Sequence, residues 1–138
     1  MFVVVSDCVA PFPLAPTDAE SFSIADLSRE FGVTARALRF YEEEGLIAPR
    51  REGATRIYSR RDRARLVWIL RGKSVGFSLD EIGELLDLYD LNDGRVTQRT
   101  VTAERCRARA EALRRQIAEL QATLTSVVQF AEGLEQPR

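Results

Sequence analysis

Between Phe22 and Tyr58 apolar residues recur twice at helical spacing and then change to the rhythm of short strands. Ile24, Leu27 and Phe31 fall at i, i+3 and i+7, one stripe on a short helix. Ser23 precedes that stripe and Asp26 follows three residues later, the pairing of a capping box. Gly32 supplies the backbone freedom of a tight turn, Thr34 caps a second helix through Glu44, and Gly45 ends it. Leu38 is spaced from Thr34 and Tyr41 to face the first helix, which turns Ala35, Arg36 and Arg39 to another side. Two helices joined by so short a turn form the outline of a helix-turn-helix, whose second helix enters the major groove of DNA.

Leu46 to Arg51 and Thr55 to Tyr58 read as two short strands around a turn at Glu52-Gly53-Ala54. Pro49 cannot donate to a central ladder, so the pair is an edge hairpin. It gathers Arg50, Arg51, Arg56 and Tyr58, a basic ribbon of the kind that holds phosphates. Ser59 and Asp62 open a third helix with Leu66, Val67, Ile69 and Leu70 on its apolar side and Arg60, Arg61, Arg63, Arg65, Arg71 and Lys73 on its polar side. Gly72 and Gly76 are expected to weaken and end it. Ser78 caps a fourth helix carrying Ile82, Leu85, Leu86 and Tyr89, and Asn92-Asp93-Gly94 is a turn.

Beyond that turn the period changes. Ala103, Cys106, Ala110, Leu113, Ile117, Leu120, Leu124, Val127, Ala131 and Leu134 step alternately by three and four, a coiled-coil seam sustained over about four heptads. A helix of about 45–50 Å cannot bury such a seam on a small domain, so the pattern implies a homodimer. The expected fold is mainly α: a winged helix-turn-helix head over 22–90, followed over 91–138 by a long dimerisation helix and short tail. Residues 1–21 are expected to form a loose, proline-punctuated leader.

Charge sharpens this division. The 138-residue chain has a formal net charge of −1, but residues 22–77 hold 12 Lys and Arg against 7 Asp and Glu, while the rest hold 8 against 14. A basic segment attached to an acidic one suits a nucleic-acid-binding head with another module. Glu42, Glu43 and Glu44 repel phosphate, so the exit of the second helix is expected to lie away from the DNA backbone. No apolar run reaches membrane-spanning length, and no basic residue precedes the apolar patches of the leader, so the chain is expected to be cytoplasmic rather than secreted or membrane-bound.

The run Thr34-Ala35-Arg36-Ala37-Leu38-Arg39-Phe40-Tyr41-Glu42-Glu43-Glu44-Gly45-Leu46-Ile47, with Pro49, Arg51 and Arg56-Ile57-Tyr58 behind it, resembles the signature of the MerR family of bacterial transcription regulators. The resemblance covers Phe22 to about Leu134. It implies an antiparallel coiled-coil dimer on a pseudopalindromic operator, often in a promoter whose two elements are too far apart. Activating members bend and untwist that spacer so that RNA polymerase engages both elements. By position it puts Ala35, Arg36 and Arg39 in the major groove and Tyr41 on the backbone. Arg51, Arg56 and Tyr58 become wing contacts, with Arg61 or Lys73 on phosphate from a second wing. Phe40 stands where the family commonly has tyrosine. The stretches from Leu70 to Leu79 and Leu85 to Asp90 further resemble the branch that regulates branched-chain amino acid and acyl-CoA breakdown genes.

Metal- and redox-sensing members of that family keep several cysteines. Here there is no histidine, and the cysteines are Cys8 in the leader and Cys106 on the seam. Two isolated thiols do not make a four-ligand site in one chain, so no cofactor or metal is expected and the effector stays open. With no glycine-rich phosphate loop and no nucleophile–base arrangement, the chain does not read as an enzyme. An excisionase-like architectural factor would share the winged head but lack the seam. A coiled-coil adaptor that binds only protein would leave the basic hairpin and Arg36/Arg39 without a role.

Overall fold

A computed structural model describes residues 19–88 and 96–137. In chain order the elements are β1 (Ser21–Phe22), α1 (Ile24–Phe31), α2 (Ala35–Glu43), β2 (Arg50–Glu52), β3 (Thr55–Ser59), α3 (Arg60–Ser74), α4 (Leu79–Asp87) and α5 (Val96–Glu135). The fold is mainly helical with one small sheet, as the periodicity predicts. Contacts divide the chain into a unit ending at Gln98 and a second unit formed by the rest of α5.

Local chemistry sets the helix starts. Ser23, Ser59 and Ser78 each accept from the backbone N–H three residues on, and Asp26, Asp62 and Glu81 reach back to the cap nitrogen, three complete capping boxes. Thr34 caps α2 by accepting from Ala37 N at 3.0 Å. Between α1 and α2, Gly32 adopts φ 64°, a left-handed conformation that a side chain would strain. Leu27 of α1 and Leu38 and Tyr41 of α2 are buried together with Leu66, Val67 and Ile69 of α3 and Ile82, Leu85 and Leu86 of α4.

The hairpin differs from expectation in two ways. Its first strand begins only at Arg50, because Leu46 and Ile47 are buried in the core instead of forming a ladder, and Ala48 N donates to Asp62 Oδ1 at 3.0 Å. Ser21 and Phe22, read in sequence as the end of the leader and the start of the head, instead pair antiparallel with Ser59 and Tyr58. This gives a three-stranded sheet in the order β1-β3-β2, with β3 in the centre.

The third helix departs further. Arg63 and Arg65, expected on a polar side, are buried. Arg63 Nε donates to both oxygens of Glu30 on α1 at 3.0 Å, and its guanidinium lies 5.5 Å from the Phe22 ring centroid. Arg65 Nε donates to Leu46 O at 2.6 Å and Nη1 to Leu86 O at 3.4 Å, tying the segment after α2 to the last turn of α4. At Leu86 the cation sits on a carbonyl of a helix C-terminus, where it is electrostatically favourable.

Gly72 neither ends α3 nor weakens it at an exposed site. It is buried inside the helix, and a Cβ built on it would lie 2.7 Å from Ile82 Cγ1. Because Ile82 is itself buried, Gly72→Ala is expected to lose more to overpacking, about 1–3 kcal/mol, than the roughly 1 kcal/mol of helix propensity it gains. Chemical denaturation should therefore show a net loss of stability; a gain would mean that α3 and α4 separate freely at this contact.

In the second unit α5 continues as one helix, part of a 40-residue element about 60 Å long. Along it Leu113, Ile117, Leu120, Leu124, Val127 and Leu134 are exposed, with Val128 and Phe130 beside them. Near its start Gln98 is fully buried and donates from Nε2 to Leu85 O at 3.0 Å, a packing role that its place ahead of the seam does not reveal. The expected turn at Asn92-Asp93-Gly94, Tyr89, the 90/91 boundary, Cys8 and the rest of 1–18 lie outside the described residues.

Candidate nucleic-acid interface

The second helix has two chemically different sides. Leu38 and Tyr41 are buried, whereas Arg36 and Arg39 are exposed and Ala35 is half-buried near the helix start. Arginine on an exposed recognition helix offers a planar fork of donors that matches guanine edges and phosphates. Helix α2 begins one residue after Thr34, so these side chains stand in its first turns, where a groove-entering helix makes its base contacts.

The wing meets the same helix at its other end. Arg51 of β2 and Arg56 of β3 are directly opposed in the antiparallel register, so both side chains project from one face. Glu42 of α2 receives both: Arg56 Nε donates to its Oε2 at 2.6 Å and Arg51 Nη2 to its Oε1 at 3.3 Å. Burial opposes ionisation of Glu42, but the hydrogen bonds from Arg56 and Arg51 outweigh it and hold its pKa below the usual glutamate value. The same hydrogen bond raises the Arg56 pKa above its ordinary value. The exit of α2 is thus bonded to the basic wing through Glu42. At the wing tip Arg50 pairs with Glu52 across exposed surface.

The two tyrosines expected on DNA are instead in the core. Tyr41 is buried, and its hydroxyl accepts from Lys73 Nζ at 3.0 Å while the ammonium lies 5.4 Å from its ring centroid. Lys73, expected on phosphate, is therefore held against α2 from the end of α3. Tyr58 has no exposed surface, and its hydroxyl has no hydrogen-bond partner among the described residues. Burial, then the Glu42 charge, raises its pKa. Both rings do the packing that positions the arginines, because each faces inward from an element whose alternate side is exposed. Arg61 is exposed in the first turn of α3, on the groove that Gly45, Leu46, Ala48 and Ser59 also line.

The basic helix face and the basic hairpin stand where the sequence pattern predicts them, and the fold brings Arg51 and Arg56 together. Glu42 as their shared ligand is an addition from the structure. The signal was present in the opposed strand positions of Arg51 and Arg56, a like-charged pair that calls for a counter-ion. Along α5 Cys106 is exposed. Among the described residues no helix is long and apolar enough to cross a membrane.

Comparisons with known proteins agree with this geometry. Residues 22–88 match the family profile described as MerR HTH family regulatory protein, and residues 63–129 match that described as MerR, DNA binding. The HTH-type transcriptional regulator CueR of Salmonella typhi is 36% identical over 113 residues, which cover 80% of this chain and 80% of the relative. The HTH-type transcriptional regulator HmrR of Rhizobium leguminosarum bv. viciae is 30% identical over 116 residues, covering 83% of this chain and 90% of the relative. Among solved structures, the N-terminal part of MtaN, the Bacillus subtilis multidrug transporter activator, superposes with a TM-score of 0.64 at 26% identity, covering 80% of this chain and 97% of that one.

Proposed function

This chain belongs to the MerR family of helix-turn-helix DNA-binding transcriptional regulators, and we propose that it works as a homodimer on a pseudopalindromic operator within a promoter. One observation carries the reading of the head: an exposed pair of arginines on α2 continues into two opposed wing arginines bonded to that same helix. In this arrangement Ala35, Arg36 and Arg39 approach base edges in the major groove, and Arg51 and Arg56 take the flanking phosphates. Arg61, exposed at the start of α3, adds the phosphate contact of the second wing. The exposed apolar row on α5 supports pairing with a second copy, which would present two heads to two half-sites.

Family likeness supports RNA polymerase as the second partner, with deformation of the operator as the means of control. The finer resemblance of residues 70–90 makes promoters of branched-chain amino acid and acyl-CoA breakdown genes the first fragments to try.

Footprinting on genomic fragments at near-physiological salt tests this reading. The expected result is a protected pseudopalindrome with half-sites on one face of the duplex; diffuse, salt-sensitive binding alone would instead favour an architectural factor. On the protected site, Arg56→Ala is expected to weaken binding to all sequences and to lower the salt slope by about one, as a lost phosphate contact does. Arg36→Ala or Arg39→Ala is expected to cost ~1–3 kcal/mol and to relax sequence preference. Identical behaviour of all three variants would contradict this division of roles.

A further inference from the structure

We infer that Glu42 acts as a built-in competitor for DNA phosphate, occupying the two wing arginines in the free protein and thereby setting the affinity of the head for every DNA sequence. The inference rests on the reading of Arg51 and Arg56 as phosphate contacts and adds to it a residue that opposes them.

Three observations carry it. Arg51 and Arg56 are directly opposed on one face of the hairpin, where like charges repel each other. Glu42 offers one carboxylate oxygen to each, at 3.3 Å and 2.6 Å. A phosphate likewise carries several anionic acceptor oxygens, so it can take one charge-assisted hydrogen bond from each of the two arginines. The third observation is burial: the Glu42 side chain is 19% exposed and that of Arg56 21%, so neither is simply a solvated surface charge. Glu43, next along the same helix, is exposed, and it is Glu42 that pairs with Arg51 and Arg56.

A phosphate that engages both arginines must take over or share the bonds that Glu42 holds. It also brings negative charge up to a partly buried carboxylate, where like charges repel more strongly than in open water. That cost is the same for any base sequence, because the wing reads backbone and not base edges. Glu42 therefore lowers affinity for operator and non-operator DNA together, and leaves discrimination to Arg36 and Arg39. It also keeps the wing docked on α2 while DNA is absent, so the arginines are already side by side when a phosphate arrives.

Glu42→Gln tests this in the full-length protein. The amide keeps the shape and one acceptor for Arg56 but removes the charge. Binding to the footprinted operator and to a random-sequence duplex should tighten by a similar factor, about three- to ten-fold near 0.15 M salt, with a salt slope steeper by about one. Glu43→Gln makes the same charge change at a residue whose charge is the last-ranked influence on Arg56, behind the Glu42 hydrogen bond, and should give a clearly smaller effect on both quantities. Weaker binding by Glu42→Gln to both duplexes, with its thermal stability kept, would show that the carboxylate only positions the arginines and would overturn the inference. Equal effects of the two glutamine variants would reduce it to net charge and overturn it as well. Because the random duplex needs no operator, this outcome is independent of whether the footprint finds a pseudopalindrome; absence of a protected site would count against the operator reading alone. If Glu42→Gln proves unstable, Glu42→Asp supplies the second readout: its shorter side chain draws the carboxylate back from both guanidiniums, so binding to both duplexes should again tighten, and weaker binding to both with thermal stability kept would overturn the inference.

Discussion

Leu120→Glu is expected to leave the protein monomeric and to weaken operator binding by about 100-fold or more, since linking two heads raises avidity by 10²–10⁴ without any new DNA contact. The argument begins with exposure. Leu120 is 69% exposed, and Leu113, Ile117, Leu124, Val127 and Leu134 are exposed on the same three-four repeat. A continuous apolar row of this length marks an association surface, and a heptad repeat fits it to another helix of the same kind. Glutamate in the middle of the seam would bury an unpaired charge in the dimer yet be harmless on a solvated monomer. Sedimentation equilibrium checks the association, and thermal unfolding of the head should not change. In an antiparallel pair Cys106 lies opposite the partner's Ala131, so oxidised Cys8→Ser protein should form no Cys106 disulfide. A dimer that survives Leu120→Glu would mean that another surface joins the two copies.

The features legible in the sequence are those whose cause is local. Each capping box is closed within four residues, Gly32 and Gly45 adopt the positive φ their turns require, and the α5 repeat is read directly from spacing. What escaped depends on partners far along the chain. Arg63 is buried because Glu30, 33 residues earlier, neutralises it, and Arg65 because Leu46 and Leu86 offer carbonyls from two other elements. Both were indistinguishable by type from the exposed arginines Arg60 and Arg61. Strand β1 is two residues long, too short to show a period, and forms only because β3 has a free edge beside it. Gly72 reads as a helix breaker until the position of Ile82 shows that a closely packed neighbour fills the space of its missing side chain. The candidate site divides the same way: the arginines were visible as composition at helix and hairpin positions, whereas their shared carboxylate required the fold.

The recognition helix allows the two halves of this account to be separated in a single experiment. Leu38 is fully buried between the helices of the head, and Leu38→Ala removes its side chain from a site with no solvent to fill it. The expected loss is about 2–5 kcal/mol of stability, the range for truncating a buried leucine. Arg39, one residue along, is exposed, and Arg39→Ala should change stability by no more than about 0.5 kcal/mol while costing operator affinity. Denaturant titrations and operator binding measured on the same preparations distinguish the two effects. Well below the melting temperature, the folded fraction of Leu38→Ala should retain the sequence preference of the parent, because its arginines are still presented on a helix that packs less tightly but in the same register. Arg39→Ala should show the reverse, an intact melting curve and a degraded preference. If Leu38→Ala instead relaxed sequence preference as much as Arg39→Ala, base reading would depend on how tightly α2 is seated, and the arginines would be only part of the recognition surface.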